Sequence, residues 1–97
     1  MRVEIMREPV NVNMAVLERV GGAALDEFYR IAMNMRDDEI NKFERLAADQ
    51  NLVFSRGAET LSYDEKFAVV SIYLDIEDAA GAIYFKLSIE PILRFKD

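Results

Sequence analysis

The stretch FAVVSIYLDIEDAAGAIYFKLSIE, residues 67–90, decides the fold that we expect for this chain. Apolar residues alternate on both sides of the segment DAAG at residues 78–81, as they do in strands with one buried face. If this segment is a four-residue turn, one face of the resulting hairpin is wholly apolar. The pairs on that face are Ile76 with Ile83, Leu74 with Phe85, Ile72 with Leu87, and Val70 with Ile89. A one-residue slip destroys the match, so the pattern predicts a β-hairpin in this register.

The other face of the predicted hairpin is mixed. It pairs Asp75 with Tyr84, Tyr73 with Lys86, Ser71 with Ser88, and Val69 with Glu90. Tyrosine and phenylalanine are enriched at interfaces because they bury a large area at small entropic cost. We therefore expect an interaction surface here, made of Phe67, Val69, Tyr73, Tyr84 and Lys86. The alternative is ordinary cross-strand pairing on an exposed face, where each pair contributes about 0.2 to 1 kcal/mol.

The neighbouring sequence extends this hairpin to a meander of about four to five strands. Residues 52–56 and 59–63 are short candidate strands around Gly57, and Asp64-Glu65 is a turn into the longer strand. Pro91 ends the last strand of the hairpin. Residues 92–96 are a candidate edge strand, where proline and lysine are tolerated.

The period of the apolar residues is helical before Asn51. Val3 and Ile5 predict a short first strand, and Asn11 or Asn13 is a candidate cap for a first helix. The apolar face of that helix follows a spacing of three and four: Leu17, Val20, Ala24, Phe28, Ile31 and Met35. Gly21-Gly22 either breaks this helix or lets another backbone approach closely.

A second helix is predicted to start at Asp37, which is a candidate N-cap, and to end at Asn51, which suits a C-terminal cap. Asp38 and Glu39 then lie in its first turn, where the helix dipole favours negative charge. Its apolar face consists of Ile40, Phe43, Leu46 and Ala47. We therefore expect one α+β domain over residues 1–97, with two layers: N-terminal helices on one face of a C-terminal antiparallel meander.

Composition and charge narrow the class of protein. The 97 residues are 52% hydrophobic and 31% charged, contain no cysteine and carry a net charge of -6. This composition predicts a folded domain that needs no disulfides, and a cytoplasmic location. Without a basic patch, an apolar leader segment or a long uncharged run, we expect neither nucleic acid nor a membrane as a partner.

The chemistry of catalysis is nearly absent from the sequence. Histidine, cysteine and tryptophan are missing, and Gly21-Gly22 lacks the spacing of a phosphate-binding loop. Asp75, Glu77 and Asp78 form a possible acidic cluster that offers oxygen ligands to a hard cation, but their spacing matches no EF-hand loop. We expect these carboxylates to be solvated. The sequence therefore predicts no catalytic residue, no metal site and no cofactor.

These observations favour a non-enzymatic protein–protein interaction module, a small acidic regulator or inhibitor that forms a homodimer. One alternative is a ligand-binding or catalytic α+β domain whose site is formed at a dimer interface. A second is a decoy that mimics nucleic acid, with carboxylates in place of phosphates. Its candidate residues are Asp37, Asp38, Glu39, Glu59, Asp64, Glu65, Asp75, Glu77 and Asp78.

Overall fold

The chain is an α+β protein with one antiparallel sheet, as the sequence predicts. A computed structural model describes residues 1–11, 24–64 and 66–93. The elements in this part of the chain are β1 (Arg2–Asn11), α1 (Ala24–Met35), α2 (Asp37–Asp49), β2 (Phe54–Tyr63), β3 (Phe67–Ile76) and α3 (Ala79–Ile89). A single 3-10 turn, Glu90–Ile92, follows α3.

The sheet has three strands in the described residues, in the order β1-β3-β2, and both neighbours run antiparallel to β3. Arg2 pairs with Asp75 at one end of the β1–β3 ladder, and Asn11 pairs with Phe67 at the other. Each ladder contains one irregularity, between Glu4 and Met6 in β1 and between Thr60 and Ser62 in β2. The central strand, β3, is also the most apolar of the three.

Alternation along β3 separates a core face from an open face. The core face carries Ala68, Val70, Ile72, Leu74 and Ile76, all fully buried. The helices contribute to the same apolar cluster, with Phe28, Ala32, Ile40, Ala47, Ala82, Phe85 and Ile89. The three helices of the described residues thus pack on the core face of the sheet, so the predicted α+β class is confirmed, whereas the predicted order of helices before the sheet is wrong. The opposite face of β3, which we call the open face, carries Phe67, Val69, Ser71, Tyr73 and Asp75.

The hairpin predicted after residue 77 is wrong, because residues 79–89 form a helix. None of the predicted pairs between residues 69–77 and 82–90 exists, and β3 pairs with β1 and β2 instead. Asp78 caps the helix, since its carboxylate accepts a hydrogen bond from the Gly81 N–H at 3.0 Å. The apolar alternation also contains a helical spacing of three and four, and its buried positions are Ala82, Phe85 and Ile89. These three side chains pack against the sheet, so the helical spacing is the one that the fold uses.

The number and order of the strands also differ from the prediction. The chain starts with a strand of ten residues rather than a short one at Val3 and Ile5, and it has a helix after the sheet. The two strands expected at residues 52–56 and 59–63 are replaced by one strand, β2, which runs from Phe54 to Tyr63 through Gly57. Of the edge strand expected at residues 92–96, Ile92 belongs to the 3-10 turn, Leu93 is in no strand, and residues 94–96 lie outside the described residues. Three described strands replace the expected four to five.

The second helix agrees closely with its prediction. Asn51 has a positive φ of 60°, and the Asn51 and Leu52 N–H groups donate to the carbonyls of Ala48 and Ala47. This is the Schellman arrangement that ends many helices, so Asn51 is confirmed as the C-terminal capping residue. The start is different: Asp37 is the first helical residue, and its carboxylate binds Arg56 instead of capping the backbone.

The predicted features of the first helix are only partly within the described residues. Asn11 is the last residue of β1 and does not precede a described helix directly. The predictions for Asn13, Leu17, Val20 and Gly21-Gly22 lie outside the described residues. From Ala24 onwards the helix is present, and Phe28 contributes to the core as expected.

Candidate functional site

The outward side of α3 carries an apolar stripe, which we call the outer stripe: Ala80, Ile83, Tyr84 and Leu87. Their spacing of three and four places them on one side of the helix, opposite the buried Ala82, Phe85 and Ile89. Ile83, Tyr84 and Leu87 remain 53%, 68% and 61% exposed. α3 is therefore apolar on both its inner and its outer side.

The composition of α3 is unusual for a helix with a solvent-facing side. Lys86 is its one charged residue, and the outer stripe contains none. A surface helix normally has charged or polar residues opposite its buried face, and a helix that is apolar all round is normally buried. Tyr84 and Lys86, expected on the sheet, belong to this helix. The outer stripe is thus an exposed apolar patch on the described surface.

One flank of α3 is held by the loop after α2. The Gln50 side-chain amide donates to the Ser88 hydroxyl at 3.1 Å. Gly81 lies so close to Leu52 that a Cβ at this position would be 2.5 Å from a Leu52 methyl carbon. The helix can approach this loop because Gly81 has no side chain. These two contacts hold one flank of α3 against the loop between α2 and β2.

The open face of the sheet carries three of the five predicted surface residues. Phe67 is half-exposed, and Val69 and Tyr73 are partly buried. The Tyr73 ring lies over Gly57, where a Cβ would be 2.5 Å from the ring. The Arg2 guanidinium lies 4.4 Å from the centre of the same ring, a cation–π contact. Tyr73 is therefore engaged by its own neighbours in the sheet.

A polar network fills the middle of the open face. The Ser71 hydroxyl donates to Glu4, although Ser71 itself is buried. Arg7 Nε donates to both oxygens of Glu4 at 3.1 and 3.2 Å. Arg2 forms an ion pair with Glu59 at 3.4 Å. Compared with the outer stripe, this face is more polar and its side chains have more partners within the chain.

Arg56 joins the sheet to α2 through a contact that the sequence did not reveal. It lies on the core side of β2, opposite Leu74, and its guanidinium donates to Asp37 at 2.8 Å and Asn41 at 3.0 Å, and to Glu44. The hydrogen bond to Glu44 is the main cause that raises the pKa of Arg56 above its ordinary value. This three-way contact orients α2 on the sheet.

The acidic residues singled out in the sequence have separate roles. Asp75 accepts a hydrogen bond from the Met1 amino group at 3.2 Å, Asp78 caps α3, and the Glu77 backbone N–H donates to the Val53 carbonyl. Within residues 1–11, 24–64 and 66–93, no group of three acidic side chains is arranged to hold a metal ion. Asp37, Glu39 and Glu59, three of the candidate phosphate mimics, are ion-paired with arginines.

A cavity of about 360 Å³ lies between β1, α2 and the 3-10 turn. The side chain of Glu8, only 6% exposed, points from the core side of β1 towards Arg36, whose Nε donates to it at 2.6 Å. Arg36 also donates to Glu39 at 3.0 Å. The hydrogen bond to Glu8 is the largest of the effects that raise the pKa of Arg36. No sequence pattern connects Glu8 to Arg36, because they are 28 residues apart.

Comparison with known proteins adds no relative. No protein-family model matches the chain, and no match was found among curated proteins or solved structures. None of the described helices has the length and apolar content needed to cross a membrane.

Proposed function

We propose that this chain is a non-enzymatic protein–protein interaction domain that self-associates through the outer stripe of α3. The supporting observation is the exposure of Ile83, Tyr84 and Leu87 on a helix whose other side is already buried in the core. Exposed apolar patches on otherwise well-packed domains mark contact sites. The outer stripe is preferred to the open face because Tyr73 on the open face already packs on Gly57 and Arg2.

The outer stripe is complementary to a second copy of itself. In an antiparallel pair of α3 helices, a two-fold axis between Ile83 and Tyr84 sets each Ile83 opposite Tyr84 of the partner subunit. The same axis sets Ala80 opposite Leu87 of the partner subunit, so that a small residue meets a large one. Two-fold pairing of identical surfaces is the commonest arrangement in soluble oligomers. The spacing of the stripe suits this arrangement without any shift along the helix.

The area of the stripe sets the expected strength of the dimer. Large aromatic side chains bury about 150 to 250 Å², so three large side chains at this exposure offer on the order of 350 Å² per subunit. With the flanking atoms of both subunits, the interface reaches about 1,000 Å², the low end for specific complexes. Association also costs translational and rotational freedom, so we expect a dissociation constant on the order of micromolar.

Sedimentation of the parent protein and two double variants tests the proposal. We expect the parent to be a dimer at about 100 µM, well above a micromolar dissociation constant. Tyr84→Ser with Leu87→Ser should give a monomer with an unchanged circular dichroism spectrum, because these side chains lie outside the core. Phe67→Ser with Tyr73→Ser is the matched control on the open face and should remain a dimer.

Two results would contradict this assignment. A monomeric parent at that concentration removes self-association altogether. Dissociation of the Phe67/Tyr73 variant alone, with its fold retained, transfers the interface to the open face, which is the surface that the sequence first indicated.

A further inference from the structure

The cavity beside β1 has one apolar side and one charged side. The apolar side consists of Ile5, Met6, Phe43, Leu46 and Ile92. Ile5 is buried and belongs to the core, so the apolar wall is continuous with the packed interior. The charged side consists of Arg7, Glu8, Arg36, Glu39 and Lys42. Half of the lining residues are apolar and half are charged, so the cavity offers both kinds of contact to a ligand.

The charged side is balanced once Arg7 is set aside. The Arg7 guanidinium binds Glu4 on the open face, which leaves Arg36 and Lys42 against Glu8 and Glu39. Glu8 and Glu39 both bind Arg36, so these two carboxylates share one guanidinium. Lys42 forms no ion pair or hydrogen bond with any residue that the structure describes. The ammonium group of Lys42 is therefore an ionic group at the cavity that has no partner among the described residues.

The volume of the cavity limits the size of the ligand. An apolar cavity of about 150 Å³ holds one benzene molecule, or six heavy atoms. By this ratio, a volume of 360 Å³ has room for roughly fourteen heavy atoms. A straight-chain carboxylate of eight carbons contains roughly ten heavy atoms and leaves room for water at the mouth.

We propose that this cavity binds a small amphipathic anion, namely a carboxylate with an apolar tail of roughly six to eight carbons. The carboxylate binds the Lys42 ammonium at the mouth, and the tail packs against Phe43, Leu46 and Ile92. Glu8 and Glu39 are both engaged by Arg36, whereas Lys42 has no partner among the described residues, so the ionic group available to a ligand is a cation. Charge-assisted hydrogen bonds are stronger than neutral ones, so the anion gains more from Lys42 than an alcohol of equal length.

This site is independent of the proposed dimer, since none of its lining residues belongs to the outer stripe. Failure of one proposal leaves the other intact. The Tyr84→Ser, Leu87→Ser variant should therefore bind the anion as the parent does, which separates the two tests.

The probe is sodium octanoate, titrated into the ¹⁵N-labelled protein and followed by amide chemical shifts. We expect saturable shifts in β1 and α2, with a dissociation constant in the millimolar to micromolar range. Octanol presents the same tail without the charge, and acetate presents the charge without the tail. Both should bind at least about tenfold more weakly, because each lacks one of the two contacts.

A matched pair of variants identifies the cation. Lys42→Gln should weaken octanoate binding by about tenfold, since it removes the one charge assigned to the carboxylate. Lys66→Gln makes the same chemical change in the β2–β3 turn, outside the cavity, and should leave binding unchanged. Both lysines are exposed, so neither variant is expected to disturb folding.

Three results would overturn the proposal. The first is the absence of saturable shifts with octanoate up to about 10 mM, ten times the weakest constant expected. The second is equal weakening by the two lysine variants, which would indicate a nonspecific effect of charge. The third is equal binding of octanol and octanoate, which would show that the cavity recognises the tail alone.

Discussion

Truncation of Phe85 to alanine tests whether residues 79–89 form a helix against the sheet. Phe85 is completely buried, whereas Leu87, two residues later, is 61% exposed. Removing a buried phenylalanine side chain costs about 3 to 5 kcal/mol of unfolding free energy. Replacing Leu87 by alanine should cost less than about 0.5 kcal/mol in the isolated subunit, as surface substitutions do. In a strand, both side chains would lie on the same buried face. Both truncations would then lower the free energy of unfolding as the loss of a buried side chain does.

Urea unfolding followed by far-ultraviolet circular dichroism measures this difference. With a slope of about 2 kcal/mol per molar urea, a loss of about 4 kcal/mol lowers the midpoint by about 2 M. The measurement needs a series of protein concentrations, because dimerisation through Leu87 adds a stability that disappears on dilution. Phe85→Ala should lose the same free energy at every concentration. Equal losses for the two variants in the dilute limit would refute the helix and restore the hairpin.

Three further predictions concern single contacts. Leu74→Ala should cost about 2 to 5 kcal/mol in the same unfolding assay, because the side chain is fully buried in the central strand. Asp78→Ala should lower stability by about 1 kcal/mol by removing the cap of α3, while Asp78→Asn, which keeps an accepting oxygen, should lose little. The Asp64 carboxylate accepts hydrogen bonds from the Phe67 and Lys66 N–H groups, which lowers its pKa below 3.8. The contribution of these hydrogen bonds to the free energy of unfolding is present above pH 3.8 and disappears as the pH falls through the lower folded pKa. The stability difference between the parent and Asp64→Ala should therefore shrink in acid. An NMR titration of Asp64 that gives 3.8 or higher would contradict the turn geometry.

The sequence predicted those elements whose signals are local. The alternation from Ala68 to Ile76 identified the central strand and its buried face, since alternation over nine residues is typical of a half-buried strand. Asn51 marked the end of α2 because a short polar side chain tolerates the left-handed conformation found there. The two-layer arrangement followed from these elements, because each had one apolar face to cover.

The errors occurred where one pattern was compatible with two structures. Residues 82–89 alternate like a strand and also place Ala82, Phe85 and Ile89 on one helix face. An apolar helix has little periodicity to reveal it, and only packing on the sheet distinguishes the two arrangements. Two local signals did favour a helix: Asp78 in a capping position, and the alanines that follow it. In β1, the irregularity between Glu4 and Met6 disrupts the alternation, so the strand seemed shorter than it is.

The candidate sites were predicted only in part. Phe67, Val69 and Tyr73 share the open face, as their alternation indicated. The outer stripe was missed as a unit because Tyr84 was placed on the sheet and Leu87 in the core. The cavity was not predictable, since it depends on Glu8 meeting Arg36 across a segment of 28 residues. Contacts at such separations leave no periodic signal in the sequence.

The place of β1 beside the central strand has a consequence for the time course of folding. β2 and β3 are neighbours in the sequence, so their hairpin closes over a short turn. The pairing of β1 with β3 instead joins distant parts of the chain, as in the pair Arg2 and Asp75. Closing a loop of this length costs about 4 kcal/mol of chain entropy before any contact of β1 is made. At about 5 to 20 residues per second, the ribosome delivers β3 only several seconds after β1. Throughout that interval β1 lacks β3, the strand beside which it lies in the described sheet.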